Sequence, residues 1–278
     1  MERDFVEVSW LREHLGDPRL RVVDARSVPH GGTHDMPSPR AQYDAGHVPG
    51  AVHLDYAEHL SDPATPYATR VAPPAEFART LGAHGIGDDA VVVAYDAGTI
   101  PFAARMVWML RYYGHAEAYV LAGGLPAWTA AGGALSSEPA TPVPAAFTPR
   151  ERPALRASRE DVLAIAEGRS HAQLLETQRD TTYAQRDRDI AYAQRISGNL
   201  LLEDARGGRV AEPAALARLV AGAGLDRARR TVLTCGSGVS ASGAWLALRA
   251  AGFSDVAVYD GSWLEWEHDG LPTVPKPT

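Results

Sequence analysis

One cysteine stands in the 278-residue chain, and its neighbours are those of a nucleophile. Cys235 ends the run Thr231-Val232-Leu233-Thr234 and is followed by Gly236-Ser237-Gly238-Val239-Ser240. The segment from Thr231 to Trp245 reads as strand, tight loop and helix. In parallel α/β folds ligands sit beyond the carboxyl ends of strands, which is where Cys235 falls. Gly236 and Gly238 allow the backbone to curl, so that successive N–H groups point inward as a nest for an anion. The following helix turns its N-terminus toward the sulfur. Both effects favour the thiolate, the reactive form of cysteine. A cysteine that only packs in a core needs no such glycine pair, which makes the structural reading the weaker one. Two other uses of such a loop are excluded. Phosphoester cleavage needs an arginine six residues on, and that position is Ala241. A serine-hydrolase elbow needs Gly-x-Ser-x-Gly, which no serine of this loop has.

The elements that must hold this loop occur twice. Leu20–Arg26 and Ala172–Glu176 are apolar stretches carrying an acid, Asp24 and Glu176. Ala90–Asp96 and Arg230–Cys235 follow as a second pair of strands. A helical stretch with a tryptophan comes next in each half, 103–113 with Trp108 and 240–251 with Trp245. Each ends in a glycine, Gly114 or Gly252, the residue that best tolerates a left-handed cap. Asp96 and Cys235 are 139 residues apart; Gly114 and Gly252, like Trp128 and Trp266, are 138 apart. So constant an offset indicates a tandem duplication. Residues 134–154 between the copies carry Pro139, Pro142, Pro144, Pro149 and Pro153, which forbids a helix and predicts an extended linker. The domains expected are therefore 1–133 and 155–278. Strands alternating with helices predict an α/β fold in each, a mainly parallel sheet flanked by helices. Val91-Val92-Val93 suits a strand buried on both faces. Ser158-x-x-Asp161 is a capping-box start, and residues 213–223 read as a helix with proline in its first turn.

Composition limits the remaining choices. Hydrophobic residues are 45% and charged residues 22%, as in a globular protein rather than a disordered one. Lys plus Arg number 27 against 34 Asp plus Glu, a net charge of −7, which speaks against a nucleic-acid partner. A single cysteine permits no intrachain disulfide and no cysteine-built zinc centre, and suits a reducing compartment. Met1-Glu2-Arg3-Asp4 leads into no apolar stretch, and 231–248 is too polar to span a bilayer. A cytoplasmic protein with no membrane partner is expected. GxGxxG after a strand, a Walker loop and HExxH are all missing, so neither cofactor nor metal is expected.

The duplicated halves and the loop Cys235-Gly236-Ser237-Gly238-Val239-Ser240 resemble the two-domain rhodanese-like sulfurtransferases, closest to the 3-mercaptopyruvate branch with its Cys-Gly-Ser-Gly-Val-Thr loop. Tyr259-Asp260-Gly261-Ser262-Trp263-Leu264-Glu265-Trp266 is similar to that family's segment after the active-site helix. Gly46-His47-Val48-Pro49-Gly50-Ala51 looks like its Gly-His-Ile-Pro-Gly-Ala motif. The resemblance implies a tandem rhodanese fold. Its first domain is catalytically silent, with Asp96 at the cysteine position. The second carries Cys235, which takes sulfur from 3-mercaptopyruvate as a persulfide and passes it to a thiol or to cyanide. A thioredoxin-like protein is one candidate acceptor. The resemblance also implies a Ser–His–Asp relay matched here by Ser237, His47 and Asp35, with Asp44 as competitor for the acid. Gly236, Gly238, Val239 and Ser240 would bind the donor.

Departures from the family pattern fall in the second half. Arg195-Ile196-Ser197-Gly198 replaces His-Ile-Pro-Gly, and Glu176-Thr177-Gln178 replaces Asp-x-Arg. Of the two arginines with which the branch holds a donor carboxylate, the first is lost near Thr182. Arg188 aligns best with the second, and Arg186 is adjacent. Loop charge favours mercaptopyruvate, since positions 236–240 carry none of the basic side chains that suit dianionic thiosulfate. Thiosulfate transfer is the alternative. A binding module with a vestigial cysteine is a third reading, which the intact Gly236/Gly238 loop disfavours.

Overall fold

Short apolar runs alternating with helices fold into two parallel sheets. The computed structural model describes residues 4–28, 37–66, 69–202 and 208–276. The chain divides into two compact units, 1–151 with 205–209 and 152–204 with 210–278.

In the first unit the order is β1 (Phe5–Val6), α1 (Val8–His14), β2 (Leu20–Asp24), α2 (Pro39–Ala45), β3 (Val52–His53), α3 (Tyr56–His59) and α4 (Pro74–Ala83). Then follow β4 (Val91–Tyr95), α5 (Pro101–Tyr112), β5 (Ala118–Leu121) and α6 (Gly124–Ala130). The sheet order is β1-β5-β4-β2-β3, all parallel. The second unit runs β6 (Arg156–Ala157), α7 (Arg159–Ala166), β7 (Gln173–Glu176), α8 (Asp180–Tyr183), β8 (Arg188–Asp189), β9 (Ala193–Arg195) and α9 (Gly198–Leu201). It continues with α10 (Pro213–Gly222), β10 (Thr231–Thr234), α11 (Val239–Ala250), β11 (Val256–Tyr259), α12 (Ser262–His268) and β12 (Val274–Pro275). Its main sheet is β6-β11-β10-β7-β9, again all parallel, and the same order strand for strand. The antiparallel pair β8/β12 was not foreseen; both strands are only two residues long, too short to leave a periodic signal.

Burial explains the strands. β10 is buried at every position and β4 at all but its first, as the unbroken apolar runs require of a sheet covered on both faces. The following helices, α5 and α11, are buried along most of their length, which fixes where their first turns lie. Gly114 and Gly252 take φ of +87° and +90° beyond their C-termini. The halves match down to a single bond: Trp128 donates its ring N–H to the Ala134 carbonyl at 2.8 Å, Trp266 to Pro272 at 2.9 Å. Ser158 and Asp161 form the expected capping box.

The proline-rich stretch is extended as expected but is not a free tether. His47 and Ser136 exchange backbone bonds, Ala145 N–H bonds Gly82, and Arg150 N–H bonds Tyr113, so most of it is stitched to the first unit. Phe147, buried, anchors it against Phe77. Among the described residues no helix is long and apolar enough to cross a membrane.

Candidate active site

Strand β10 delivers Cys235 to the carboxyl end of the second sheet. Its neighbour β7 is in register, Glu176 beside Thr234, and the Thr177 N–H bonds the Thr234 carbonyl at 2.8 Å. The loop then turns through Gly238 at φ +77°, which caps α11. Of the two glycines only Gly238 needs the left-handed region. Gly236 lies under Gln178: a Cβ there would come within 3.2 Å of Nε2, so the carboxamide would have to shift by a few tenths of an ångström.

The loop's polarity is set by its neighbours. The N–H groups of Trp263 and Leu264 bond the carbonyls of Cys235 and Gly236, both at 3.0 Å. With those carbonyls engaged, the amides of Ser237 and Ala241 reach the Cys235 sulfur. Ser262 closes the site. Its Oγ accepts from the Cys235 N–H at 3.2 Å, donates to the Tyr259 carbonyl at 2.8 Å and lies 4.0 Å from Sγ. Ser262 is fully buried at φ +50°, a conformation that costs a non-glycine residue free energy and that the surrounding bonds must hold. The nest expected from sequence is present, but its consequence for the resting thiol is not. Burial pushes the Cys235 thiol up, the Glu176 charge adds to this, and the two amides and the Ser262 hydroxyl only partly offset them.

The first unit contains the same loop holding a carboxylate. Asp96 Oδ1 accepts from the N–H groups of Gly98, Thr99 and Ile100 at 2.9, 3.0 and 3.1 Å. Oδ2 accepts from Phe102 and Ala103 at 3.2 and 3.3 Å. Burial raises the Asp96 carboxyl, and these amides pull it back. From Asp96 to the first residue of α5 is one residue more than from Cys235 to the first of α11, which accounts for the offset changing from 139 to 138. The left-handed position falls on Ile100 in one loop and Gly238 in the other.

Beneath Cys235 lies a buried ionic group. Arg186 Nη2 bonds Glu176 Oε2 at 2.5 Å and Asp189 Oδ1 at 3.0 Å. Its guanidinium sits 4.2 Å from the Trp263 ring centre and 4.6 Å from that of Tyr183. Arg186, expected to hold a donor carboxylate, bonds Glu176 and Asp189 through Nη2 alone; its Nε and Nη1 are buried without a hydrogen-bond partner. Arg188, expected beside it, bonds Thr273 through Nε and Nη2 where β8 meets β12. The short charge run at 186–189 hid this, because nothing in it signals which members are buried.

The remaining sequence candidates divide. Cys235, Gly236, Ser237, Gly238, Val239 and Ser240 share the loop and the first turn of α11, with Ser237 half-buried. His47 is fully buried in the first unit, with Nδ1 2.8 Å from the Tyr43 carbonyl and Nε2 3.0 Å from that of Glu138. Its ring stacks on Tyr43 at 3.8 Å. Both neighbours are carbonyls, so the neutral ring donates to one of them at a time, and its place between Tyr43 and Glu138 fixes the turn. Asp35 lies outside the described residues. Asp44 is half-exposed and pairs with Arg40 at 2.9 Å on α2. Sequence reasoning missed two residues at the loop. Ser262 stood within a quoted motif but carried no chemical signal of its own. Gln178 was noted only as a departure. Among the described residues no cluster of His, Cys, Asp or Glu is placed to hold a metal ion.

Comparison with known proteins agrees with this geometry. The rhodanese-like domain family matches residues 7–131 and again 160–269. Thiosulfate sulfurtransferase of Bos taurus is 34% identical over 97% of this chain and 94% of its own. The 3-mercaptopyruvate sulfurtransferase of Escherichia coli (strain K12) is 31% identical over 98% of both. The crystal structure of SseA from Escherichia coli, described with the rhodanese fold of 3-mercaptopyruvate sulfotransferases, superposes with a TM-score of 0.84 at 29% identity. It covers 94% of this chain and 99% of that one. With both halves matched and full-length relatives above 30% identity, the chain belongs to the rhodanese family, as one of its two-domain sulfurtransferases.

Proposed function

We propose that the protein moves a sulfane sulfur from 3-mercaptopyruvate to a thiol or cyanide acceptor through a persulfide on Cys235. The observation that carries this is the pair of loop amides, from Ser237 and Ala241, aimed at a sulfur whose own loop carbonyls are bonded elsewhere. The thiolate attacks the donor sulfur, an S–S bond forms, and the carbon–sulfur bond breaks with its electrons left on carbon as the enolate of pyruvate. The enolate takes a proton to give pyruvate. We assign its delivery to the hydroxyl of Ser237, a half-buried residue of the same loop, which is restored by the proton that the Cys235 thiol gives up, so that the serine ends as a hydroxyl. The acceptor then attacks the outer sulfur, and Cys235 leaves as thiolate. His47 is given a positioning role within its own unit, because its ring is tied to Tyr43 and Glu138. The absence of basic side chains at 236–240 supports the less charged donor.

Thiosulfate as donor is the second reading. It is favoured by the thiosulfate sulfurtransferases among the relatives and by the bonds that Arg188 makes to Thr273 through Nε and Nη2. Intact mass after incubation with each donor, and turnover of each with cyanide, separate the two. The expected result is one added sulfur on the wild-type chain, none on Cys235→Ser, and faster use of 3-mercaptopyruvate. Equal or better use of thiosulfate reverses the donor choice. Unchanged transfer by Cys235→Ser removes the nucleophile.

A further inference from the structure

The two loops lead into their helices through the same kind of turn, but the first helical turns are held differently. The residue before each helix has a positive φ, +73° at Ile100 and +77° at Gly238, while ψ is −44° in one and −8° in the other. Because ψ sets the direction of a residue's own carbonyl, the carbonyl at the head of α11 is turned relative to its counterpart at the head of α5. Its partner is the fourth residue of the helix. In the first unit that residue is Ala104, whose N–H bonds the Ile100 carbonyl at 2.8 Å. In the second it is Ser242, fully buried, whose N–H reaches the Gly238 carbonyl at 3.2 Å and whose Oγ donates to the same oxygen at 2.8 Å. A serine hydroxyl that bonds the carbonyl four residues back competes with the helical bond and bends the helix there. Alanine has no such group.

The bend bears on where the neighbouring amide goes. Ala103 and Ala241, each just before this fourth residue, send their N–H groups into the two loops. Ala103 bonds Asp96 Oδ2 at 3.3 Å, and Ala241 reaches the Cys235 sulfur. The target in the second unit lies one bond nearer its own strand, because a cysteine sulfur sits closer to the backbone than a carboxylate oxygen. The first turn of α11 must lean further toward it. The same bond also turns the Gly238 carbonyl to a donor, as Trp263 and Leu264 do for the carbonyls of Cys235 and Gly236.

We propose that Ser242 is a positioning residue for sulfur transfer: its hydroxyl, by holding the Gly238 carbonyl, tilts the first turn of α11 so that the Ala241 amide meets the Cys235 sulfur. This rests on the sulfurtransferase reading. Ser242 acts through Gly238 and Ala241, not on the donor.

Ser242→Ala and Ser242→Thr, each in the full chain, test it. Cys235 is the only cysteine, so alkylation by iodoacetamide followed across pH reports on its sulfur alone. Glu176 on β7, with its partner Arg186, is the charged group that acts on this sulfur, and it is the same in both variants. In Ser242→Ala, alkylation below the midpoint pH should slow about three- to tenfold, the net worth of one hydrogen bond, and kcat with cyanide as acceptor should fall in proportion while KM for the donor stays unchanged. Threonine keeps a hydroxyl that can bond the carbonyl four residues back, so Ser242→Thr should restore both. Wild-type alkylation and kcat in Ser242→Ala overturn the proposal. So does a lowered melting temperature in Ser242→Ala with the pH profile unmoved, which would make the serine a stabiliser of the helix and no more. Equal loss in both variants overturns it too, since the hydroxyl would then not be what matters. A wild-type chain that gains no sulfur from 3-mercaptopyruvate or thiosulfate overturns the parent reading instead, and the alkylation profiles still decide whether Ser242 aims the amide.

Discussion

Replacing Asp96 measures how strongly this kind of loop holds negative charge. Five backbone N–H groups converge on one buried carboxylate, three on Oδ1 and two on Oδ2. Asp96→Ala removes both acceptors and leaves those donors facing a small void. One unmet buried donor costs ~1–3 kcal/mol, and loss of a helix cap alone costs ~0.5–2 kcal/mol. Simple addition overshoots, because water enters and the first turn of α5 relaxes. A lost cap with one donor left unmet, together ~2–5 kcal/mol, is the better guide. Against a typical domain stability of ~5–15 kcal/mol that is a large fraction, and it should lower the melting temperature of the first unit by roughly 10–20 °C. Asp96→Asn keeps one acceptor oxygen and should lose less than alanine. Calorimetry or chemical denaturation reads the loss, and hydrogen exchange at residues 98–103 localises it. Sulfate should partly restore Asp96→Ala by occupying the emptied amides, with little effect on the wild type. A variant within ~0.5 kcal/mol of wild type, as for an ordinary surface substitution, would mean that the amides hold no significant charge. The matching claim for Cys235 would then lose its independent support.

Other consequences are simpler to state. Arg186→Ala should destabilise the second unit by ~3–5 kcal/mol by leaving Glu176 and Asp189 without their cation; a raised donor KM with stability intact would instead return Arg186 to donor binding. His53 and His115 are buried in the first unit, and burial lowers both below their ordinary 6.5. As pH falls through that value the unfolded chain takes up protons that the folded one resists. Stability should therefore drop by up to about 1.4 kcal/mol per pH unit for each histidine, until the folded pKa is passed. A denaturant midpoint that stays constant from neutral pH to about pH 5 would show that neither histidine resists protonation on folding.

How much was legible in the sequence depended on whether the signal was local. The repeats, the cysteine loop and the capping box at Ser158 were readable because each is a short pattern with one physical solution. The duplication was readable even in its flaw, the shift from 139 to 138, which is the extra residue in the Asp96 loop. Partner choice among charges was not readable. Arg186, Arg188 and Arg195 look alike in sequence, yet one is buried between two rings and two acids, one is exposed on a short ribbon, and one braces the Gln178 carbonyl. Those roles depend on which strands lie side by side, and β8, β9 and β12 are too short to declare themselves. Ser262 was invisible for another reason: its importance comes from a backbone angle and three contacts made across the sheet end.

The raised thiol and the inward amides look contradictory until the two loops are compared atom by atom. An aspartate places its oxygens one bond farther from the backbone than a cysteine places its sulfur. In the first unit that extra bond carries the charge to amides at both ends of the loop, Gly98 at one and Ala103 at the other. In the second unit a bare Sγ sits deeper, in a dry position beside Glu176, and remains protonated more readily than an ordinary thiol. Adding one sulfur lengthens the side chain by the missing bond and moves the charge outward, toward where the carboxylate oxygens lie in the first unit. On this reasoning the loop's electrostatics suit the proposed persulfide better than the thiolate from which it forms. The second unit's cradle is then tuned to the intermediate, while Asp96 fills its counterpart permanently and leaves the first unit no room to compete.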